Sequence, residues 1–454
     1  MKVAKFGGSS LADAGQIKKV CDIIVADSDR KIVVVSAPGK RHKDDTKVTD
    51  LLIALANAML EKGEANAEFL AVVDRFDSII DDLELSSDLK SEIADDLKGR
   101  MLMNINHPGK YMDCMKAAGE DNAAKVTAAY LRSIGYDASY INPKDAGMFL
   151  SDDFGNARVL PQSFDLLEKM AEREGISVFP GFFGYTLSGE VATFPRGGSD
   201  ITGSILAAAV QADVYENFTD VDSVYAANPK LIKNPQPIPV FTYEEMRELS
   251  YAGFSVLHEE TLQPVYQRGI VVNIKNTNNP SAPGTMIVKY RNKTNNPVVG
   301  IALDNGFVSI WVSKYMMNRE IGFGRKLLQI LEEEGISYDH TPSGIDNISI
   351  ILRENQIQGK EQKVLDRIKN ELEVDHVNIE YNKALVMVVG EGMIRAVGIA
   401  MRATVALAKA EVNIEMINQG SSEVSLMFGV KSVDGERALQ ALYQEFFGEV
   451  SEVK

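Results

Sequence analysis

The sequence predicts an α/β domain over residues 1–290 followed by two small α+β units of βαββ type, over 300–375 and 376–454. Three observations predict it. Short apolar runs alternate with longer helical stretches up to about residue 290, the signature of a sheet with helices on its faces. A weak internal repeat with an offset of about 76 positions occupies the last third of the chain, a spacing suited to two copies of one small domain. Between these regions Asn276–Thr285 reads NTNNPSAPGT, a cluster of turn formers that makes the best candidate linker.

The first apolar run, Val3 to Phe6, predicts a strand, and Ala14 to Val25 behind it a helix. Ile32 to Val35, Ser177 to Phe179, Ala212 to Tyr215 and Ile270 to Ile274 predict further strands of the same sheet. From Leu60 to Leu102 the chain is charged and amphipathic with little Gly or Pro, which predicts a helical insertion whose charges form a solvated face. Residues 201–212, ITGSILAAAVQA, predict a strong helix opened by Ser199 and Asp200 as caps. In the repeat, Val308–Val312 matches Ala384–Val388, Gly322 matches Gly398, and Asp346–Ile350 matches Ser422–Leu426. Each copy reads strand, glycine turn, helix, strand, strand, which packs helices on one face of an antiparallel sheet.

A chain of 454 residues exceeds what one core usually serves, and 45% hydrophobic with 25% charged residues are the proportions of a globular protein. The balance of 48 basic against 64 acidic residues, a formal charge of -16, repels a phosphate backbone, so no nucleic-acid partner is expected. Cys21 and Cys114 show no pairing or zinc spacing and read as core thiols. With no signal-like leader and no apolar run of about 18 residues, a cytoplasmic protein without membrane spans is expected.

Four motifs carry candidate chemistry. Lys5-Phe6-Gly7-Gly8-Ser9-Ser10 follows a strand and precedes a helix; its glycines admit an anion close to the backbone, and Lys5 offers an ammonium to phosphoryl oxygens. Arg196-Gly197-Gly198-Ser199-Asp200 repeats the arrangement before a second helix, so the domain offers two anion sites, one for a donor and one for an acceptor. Thr219 and Asp220, in the loop Phe218–Tyr225, offer acceptors to a nucleotide, although turn Asp residues commonly bond their own backbone. Ser36, at the end of a buried-type strand, and Thr49, beyond the basic loop 40–47, offer hydroxyls to a carboxylate. The set lacks an obvious general base, which favours an acceptor already ionised at neutral pH, such as a side-chain carboxylate.

KFGGSS at 5–10, VVSAPGK at 34–40, RGGSD at 196–200 and FTDVDSVY at 218–225, in that order and followed by the paired units, resemble the aspartate kinases of the amino acid kinase family. The resemblance implies an αβα sandwich catalytic domain and two C-terminal ACT domains. It implies ATP as phosphoryl donor, Mg²⁺ carried on the ATP phosphates without a protein cage, and L-aspartate as acceptor. By matching motif positions, Lys5 stabilises the transferring phosphoryl group and Asp200 orients the lysine. Arg196 clamps the aspartate α-carboxylate beside Gly198 and Ser199, Glu120 lies near the α-amino group, and Ser36 and Thr49 contact the side-chain carboxylate. Gly7, Gly8 and Ser9 form the phosphate turn, and Thr219, Asp220 and Tyr225 the ATP loop.

The chain departs from the family pattern at Ser255, where a lysine is common, at Ser223, where a glycine is common, and at Asn228-Pro229-Lys230 in place of Asp-Pro-Arg. Lys230, or a lysine of the 40–47 loop, is then the candidate for the missing phosphate-side charge. In the regulatory pair Met317, Phe323 and Asp339 occupy the matching effector positions. Lysine is the expected effector, with threonine the alternative, and a homodimer or larger homo-oligomer through the ACT domains is implied. A kinase of another small acid or of a nucleoside monophosphate, and an inactive amino-acid sensor on the same fold, are the competing readings.

Overall fold

Val3, Ala4 and Phe6 are fully buried in the first strand, β1 (Lys2–Phe6), which lies inside a mostly parallel sheet covered on both faces. The computed structural model of the protein describes residues 1–254, 259–292 and 296–448. Ser255 lies outside the described residues.

Asp13 caps α1 (Ala14–Val25), accepting the Gln16 N–H at 2.9 Å, and the helix spans the residues its pattern predicts. β2 (Arg30–Val35) then pairs parallel to β1. Four helices follow: α2 (Val48–Lys62), α3 (Asn66–Asp82), α4 (Ser87–Met101) and the long α5 (Pro108–Ser133). The expected insertion over 60–102 is therefore the pair α3 and α4, held by Phe76, Ile79, Ile80, Ile93 and Leu97. Contrary to the expected solvated face, not all of its charges are in water: Arg75 is 4% exposed, and Arg100 is paired with Asp96 and Asp121 at 2.9 and 2.8 Å. Cys21 and Cys114 are buried free thiols, as expected.

After β3 (Ala138–Tyr140) and β4 (Ile176–Pro180), a short hairpin of β5 (Phe183–Tyr185) and β6 (Val191–Thr193) leads to the helix Gly198–Ala209 and to β7 (Val214–Thr219). β7 starts later than the expected Ala212, whose N–H still bonds the helix carbonyl of Ala207 at 2.9 Å. The eight-stranded sheet runs Val240–Thr242, Thr285–Val288, Val271–Asn276, β7, β1, β2, β4, β3. β7, β1, β2 and β4 are mutually parallel, so Gly7, Ser36, Gly181 and Asp220, just past their C-terminal ends, emerge at one edge. Ligands of open parallel sheets bind beyond such ends.

The turn-rich stretch 276–285 is not the linker. It connects Val271–Asn276 to Thr285–Val288, which pair antiparallel within the sheet, so turn chemistry here closes a hairpin. The chain divides into two units: one holds 1–224, 237–243 and, of the described residues, 259–291, and the other holds 225–236, 244–254, 292 and 296–448.

The second unit is built on one antiparallel sheet in the order Asn347–Arg353, Gly300–Ser313, His376–Val389, Ser425–Lys431, Met416–Asn418. Its two long strands serve both repeats. Gly300–Asn305 pairs with Ala384–Val389, the register shifts around Gly306 (φ 83°), and Phe307–Ser313 continues against His376–Lys383. The repeats are therefore nested in strand pairing, the first inserted into the second, instead of following one another at 375/376. Gly322 and Gly398 both adopt positive φ at the N-caps of Phe323–Glu333 and Ile399–Lys409, as their matching positions suggest. Each repeat also carries a further helix, Glu361–Leu372 and Gly435–Phe447, that the βαββ pattern does not include. The cores are separate: Ile310, Leu327, Ile350 and Ile368 for the first, Val386, Ala403, Phe428 and Leu439 for the second. No described helix is long and apolar enough to cross a membrane.

Candidate active site

At the end of β1 the Lys5 side chain is 9% exposed, and its Nζ lies 2.5 Å from Asp200 Oδ1. Asp200 sits in the first turn of Gly198–Ala209, so residues 195 positions apart in sequence meet because β1 and that helix pack together. Asn217 of β7, buried, donates to the same oxygen at 2.8 Å, and the Tyr215 hydroxyl donates to the Asp200 carbonyl at 3.1 Å. Asn217 is absent from the sequence reading. The available signal is a polar residue inside the otherwise buried run of β7.

Gly7 and Gly8 follow at the strand's end. The Gly7 N–H bonds the Phe218 carbonyl at 3.1 Å, and a Cβ there would lie 3.6 Å from Lys5 Nζ. Gly8 packs backbone to backbone on Gly39: the Gly39 N–H donates to the Gly8 carbonyl at 2.8 Å, and a Cβ on Gly39 would lie 2.6 Å from the Gly8 carbonyl carbon. Ser9 is exposed at the start of the following short helix. Ser36, half-buried, donates its N–H to the Phe6 carbonyl at 3.2 Å, which places it beside the same turn. Thr49 is in the first turn of α2, tied to this loop through the Val48 N–H on the Pro38 carbonyl at 3.0 Å.

The second glycine motif is fitted as closely. Gly197 (φ 82°) caps the helix, a Cβ on Gly198 would meet the Phe182 ring at 2.6 Å, and one on Gly181 would meet Ser199 Cβ at 2.7 Å. Phe182 itself has φ 73°, rare for a side-chain-bearing residue, and is held by its N–H on Thr202 Oγ1 at 3.0 Å and by its carbonyl on the Phe194 N–H at 2.9 Å. Ser199 is buried here. Arg196 is exposed and forms no hydrogen bond or ion pair with the described residues, so its guanidinium is free for a ligand.

Glu120 lies on α5, buried, with Oε2 lacking any hydrogen-bond partner. Burial pushes its carboxyl up to about 8, against the opposing pull of the Ala37 amide, Lys116 and Lys5. An unsatisfied buried carboxylate among cations and amides marks a place for a ligand's donor. Lys116 is itself held by Asp113 at 2.9 Å and Thr193 Oγ1 at 3.1 Å, which joins α5 to β6.

Thr219 ends β7 and Asp220 follows it, the threonine hydroxyl donating to Asp220 Oδ1 at 3.2 Å. Lys5, Asp200, Gly7, Gly8, Ser9, Ser36, Thr49, Glu120, Arg196, Gly198, Ser199, Thr219 and Asp220 all belong to the first unit. Tyr225 and the exposed Lys230 belong to the second. Also in the second unit, Met317 and Phe323 are buried in the core of the first repeat, and the Asp339 carboxylate accepts the Tyr251 hydroxyl at 2.6 Å.

Gly39→Ala is expected to disturb this edge first. A methyl group 2.6 Å from the Gly8 backbone forces the two loops apart, costing about 1–3 kcal/mol of stability. A lowered Tm with at least a tenfold loss of kcat/KM is the expected result; unchanged kinetics would show that the backbone contact is dispensable.

The Amino acid kinase family model matches residues 1–276, and an ACT domain model matches residues 386–446. Aspartokinase 3 of Bacillus subtilis is 57% identical over 451 residues, 99% of each chain. The chain belongs to the aspartokinases of the amino acid kinase family. Within that family, the crystal structure of Clostridium acetobutylicum aspartate kinase superposes with a TM-score of 0.88 at 39% identity, covering 98% of this chain and 100% of that one. Escherichia coli aspartokinase III superposes in two states. Its R-state, in complex with aspartate and ADP, gives a TM-score of 0.78 at 25% identity, covering 98% of this chain and 100% of that one. Its T-state, in complex with lysine and aspartate, gives 0.74 at 26% identity, with 98% and 99% covered. Lys5 and Gly7 of the first motif, Ser36 of the second, Asp200 of the third and Phe218 to Asp220 of the fourth lie within the first unit, at or beside the C-terminal ends of its parallel strands.

Proposed function

We propose that the chain transfers the terminal phosphoryl group of ATP to the side-chain carboxylate of L-aspartate, forming 4-phospho-L-aspartate, the first step of lysine, threonine and methionine biosynthesis. The observation that supports this most directly is the Lys5–Asp200 pair, set at one sheet edge between two glycine turns. Phosphoryl transfer asks for positioning and for cations against the moving charge, and an ionised carboxylate acceptor needs no base. In this reading Gly7, Gly8 and Ser9 cradle phosphate oxygens and Lys5 follows the phosphoryl group. Asp200 and Asn217 keep the ammonium aimed.

Arg196, free of protein partners, takes the α-carboxylate with Gly198 and Ser199, and Glu120 takes the α-ammonium. Ser36 and Thr49 hold the reacting carboxylate. Thr219, Asp220, Tyr225 and Lys230 serve the nucleotide. Mg²⁺ enters on the phosphates; Asp200 engages both Lys5 and Asn217 through Oδ1, and Oδ2 is the acceptor it would offer to the ion's water shell. The ion would screen phosphate charge alongside Lys5.

The catalytic domain in this reading ends near residue 290, and the nested repeats are a pair of ACT domains that join two copies of the chain in a cytoplasmic homodimer. Lysine is the effector, its ammonium on Asp339, with Met317 and Phe323 shaping the turn before the Gly322-capped helix. The E. coli T-state complex with lysine supports that choice. The test is acyl phosphate formation trapped with hydroxylamine, with ATP and Mg²⁺, for aspartate against glutamate and with excess lysine or threonine. Aspartate-specific product suppressed by lysine is the expected result. Amino-acid binding without product would replace the kinase by a sensor, and suppression by threonine alone would reassign the effector.

A further inference from the structure

One charged side chain of the helical insertion reaches the sheet edge. Arg75, on α3, is 4% exposed, and its guanidinium is shared among three acceptors on two other chain segments. One nitrogen, Nη2, donates both to the Ala12 carbonyl at 2.8 Å and to the Gly39 carbonyl at 2.6 Å. The other, Nη1, donates to Asp45 Oδ2 at 2.7 Å. Ala12 closes the short helix that begins at Gly8, and Gly39 is the residue whose backbone rests on Gly8. Asp45 lies in the basic loop between Ser36 and Thr49, where Arg41 also holds it with two bonds of 2.9 Å. Those arginines keep the Asp45 carboxyl well below the usual carboxylate range, Arg41 contributing most.

We infer that Arg75 is a positioning residue that staples the glycine turn 7–12 to the loop 36–49, and so sets the two halves of the site against each other. The inference rests on the proposed kinase reading, in which the first segment serves the nucleotide and the second the acceptor. A planar guanidinium can serve three acceptors in fixed directions from one buried position, which an ammonium on a flexible stem does not reproduce. Arg75 touches neither ligand in this assignment. The chemistry stays with Lys5, whose strand and whose Asp200 and Asn217 partners do not involve Arg75.

The test compares full-length wild type, Arg75→Met and Arg75→Lys. With Arg75→Met, the KM values for ATP and for aspartate should rise together by about fivefold or more, while kcat at saturation stays within threefold. Asp45 keeps Arg41 in this variant, which limits the cost to folding. A lowered Tm with both KM values unchanged would reduce Arg75 to a structural role and overturn the proposal, and so would a rise in only one of them. Should Arg75→Met fail to fold, Arg75→Lys is read by the same criterion. Amide hydrogen exchange supplies a readout independent of activity: faster exchange at 8–13 and 37–48 with the rest of the first unit unchanged is expected, and uniform protection in the variant would overturn the staple. If wild type makes no acyl phosphate, the kinase reading fails while the exchange experiment still judges the staple.

Discussion

Lys5→Ala should lower kcat for aspartate phosphorylation by about 100- to 1000-fold, the usual loss when one preorganised donor to a developing charge is removed. The structure says why the loss should appear in rate more than in folding. Asp200 retains the Asn217 amide at 2.8 Å on the oxygen that Lys5 vacates, and β1 keeps its parallel pairing with β2 and β7. The carboxylate is thus left with a partner, although a buried pair has been broken. Lys5→Arg should not rescue: the guanidinium is longer and planar, and the 2.5 Å contact with Asp200 Oδ1 is set by the length of the lysine side chain. Steady-state kinetics with hydroxylamine trapping, alongside thermal unfolding, checks both statements. A kcat within threefold of wild type in Lys5→Ala would remove Lys5 from the mechanism.

Glu120 should make aspartate binding depend on pH. Its carboxyl is pushed up to about 8 by burial, so below that pH most of the free protein holds it protonated. A substrate ammonium needs the carboxylate, so KM for aspartate should fall as pH rises from 6 to 8, by at most about tenfold per unit, and level off above. Glu120→Gln should flatten this dependence, and Glu120→Ala should raise KM about 100-fold, the cost of leaving a ligand's buried charge without its hydrogen-bonded partner. Stability should move the opposite way with pH. The folded pKa exceeds the unfolded one, so between about 4.5 and 8 the native state binds more protons and loses stability as pH rises. Measuring KM and urea midpoints across pH 6 to 9 for wild type and Glu120→Gln tests both. A flat wild-type profile with normal aspartate binding in the glutamine variant would take Glu120 out of the site.

Much of this architecture is legible residue by residue. α1 keeps its expected ends because its apolar period and the Asp13 cap are local signals. Gly322 and Gly398 are legible as paired turns because both helix starts demand positive φ, a requirement glycine meets at no steric cost. The stretch 276–285 misleads for the same local reason: the residues that loosen a linker also close a hairpin, and only the pairing of Val271–Asn276 with Thr285–Val288 separates the two. The nested repeats escape the sequence because a repeat reports that two segments are alike, and long strands shared between copies leave that likeness intact. Arg75 escapes because a lone arginine on a charged amphipathic helix looks like its solvated neighbours until the packing of α3 buries it.

Local chemistry along the chain determined the glycine turns, the strand that carries Lys5, the helix that carries Asp200 and the residue types available for phosphate and carboxylate, since these depend on φ/ψ preference, hydrophobic period and charge. Tertiary structure alone decided that Lys5 and Asn217 share one oxygen of Asp200, that one buried Glu120 carboxyl oxygen is left without a partner, and that Arg75 binds two loops at once. Distance in space and loss of water set those properties, and both follow from long-range packing that no local pattern encodes.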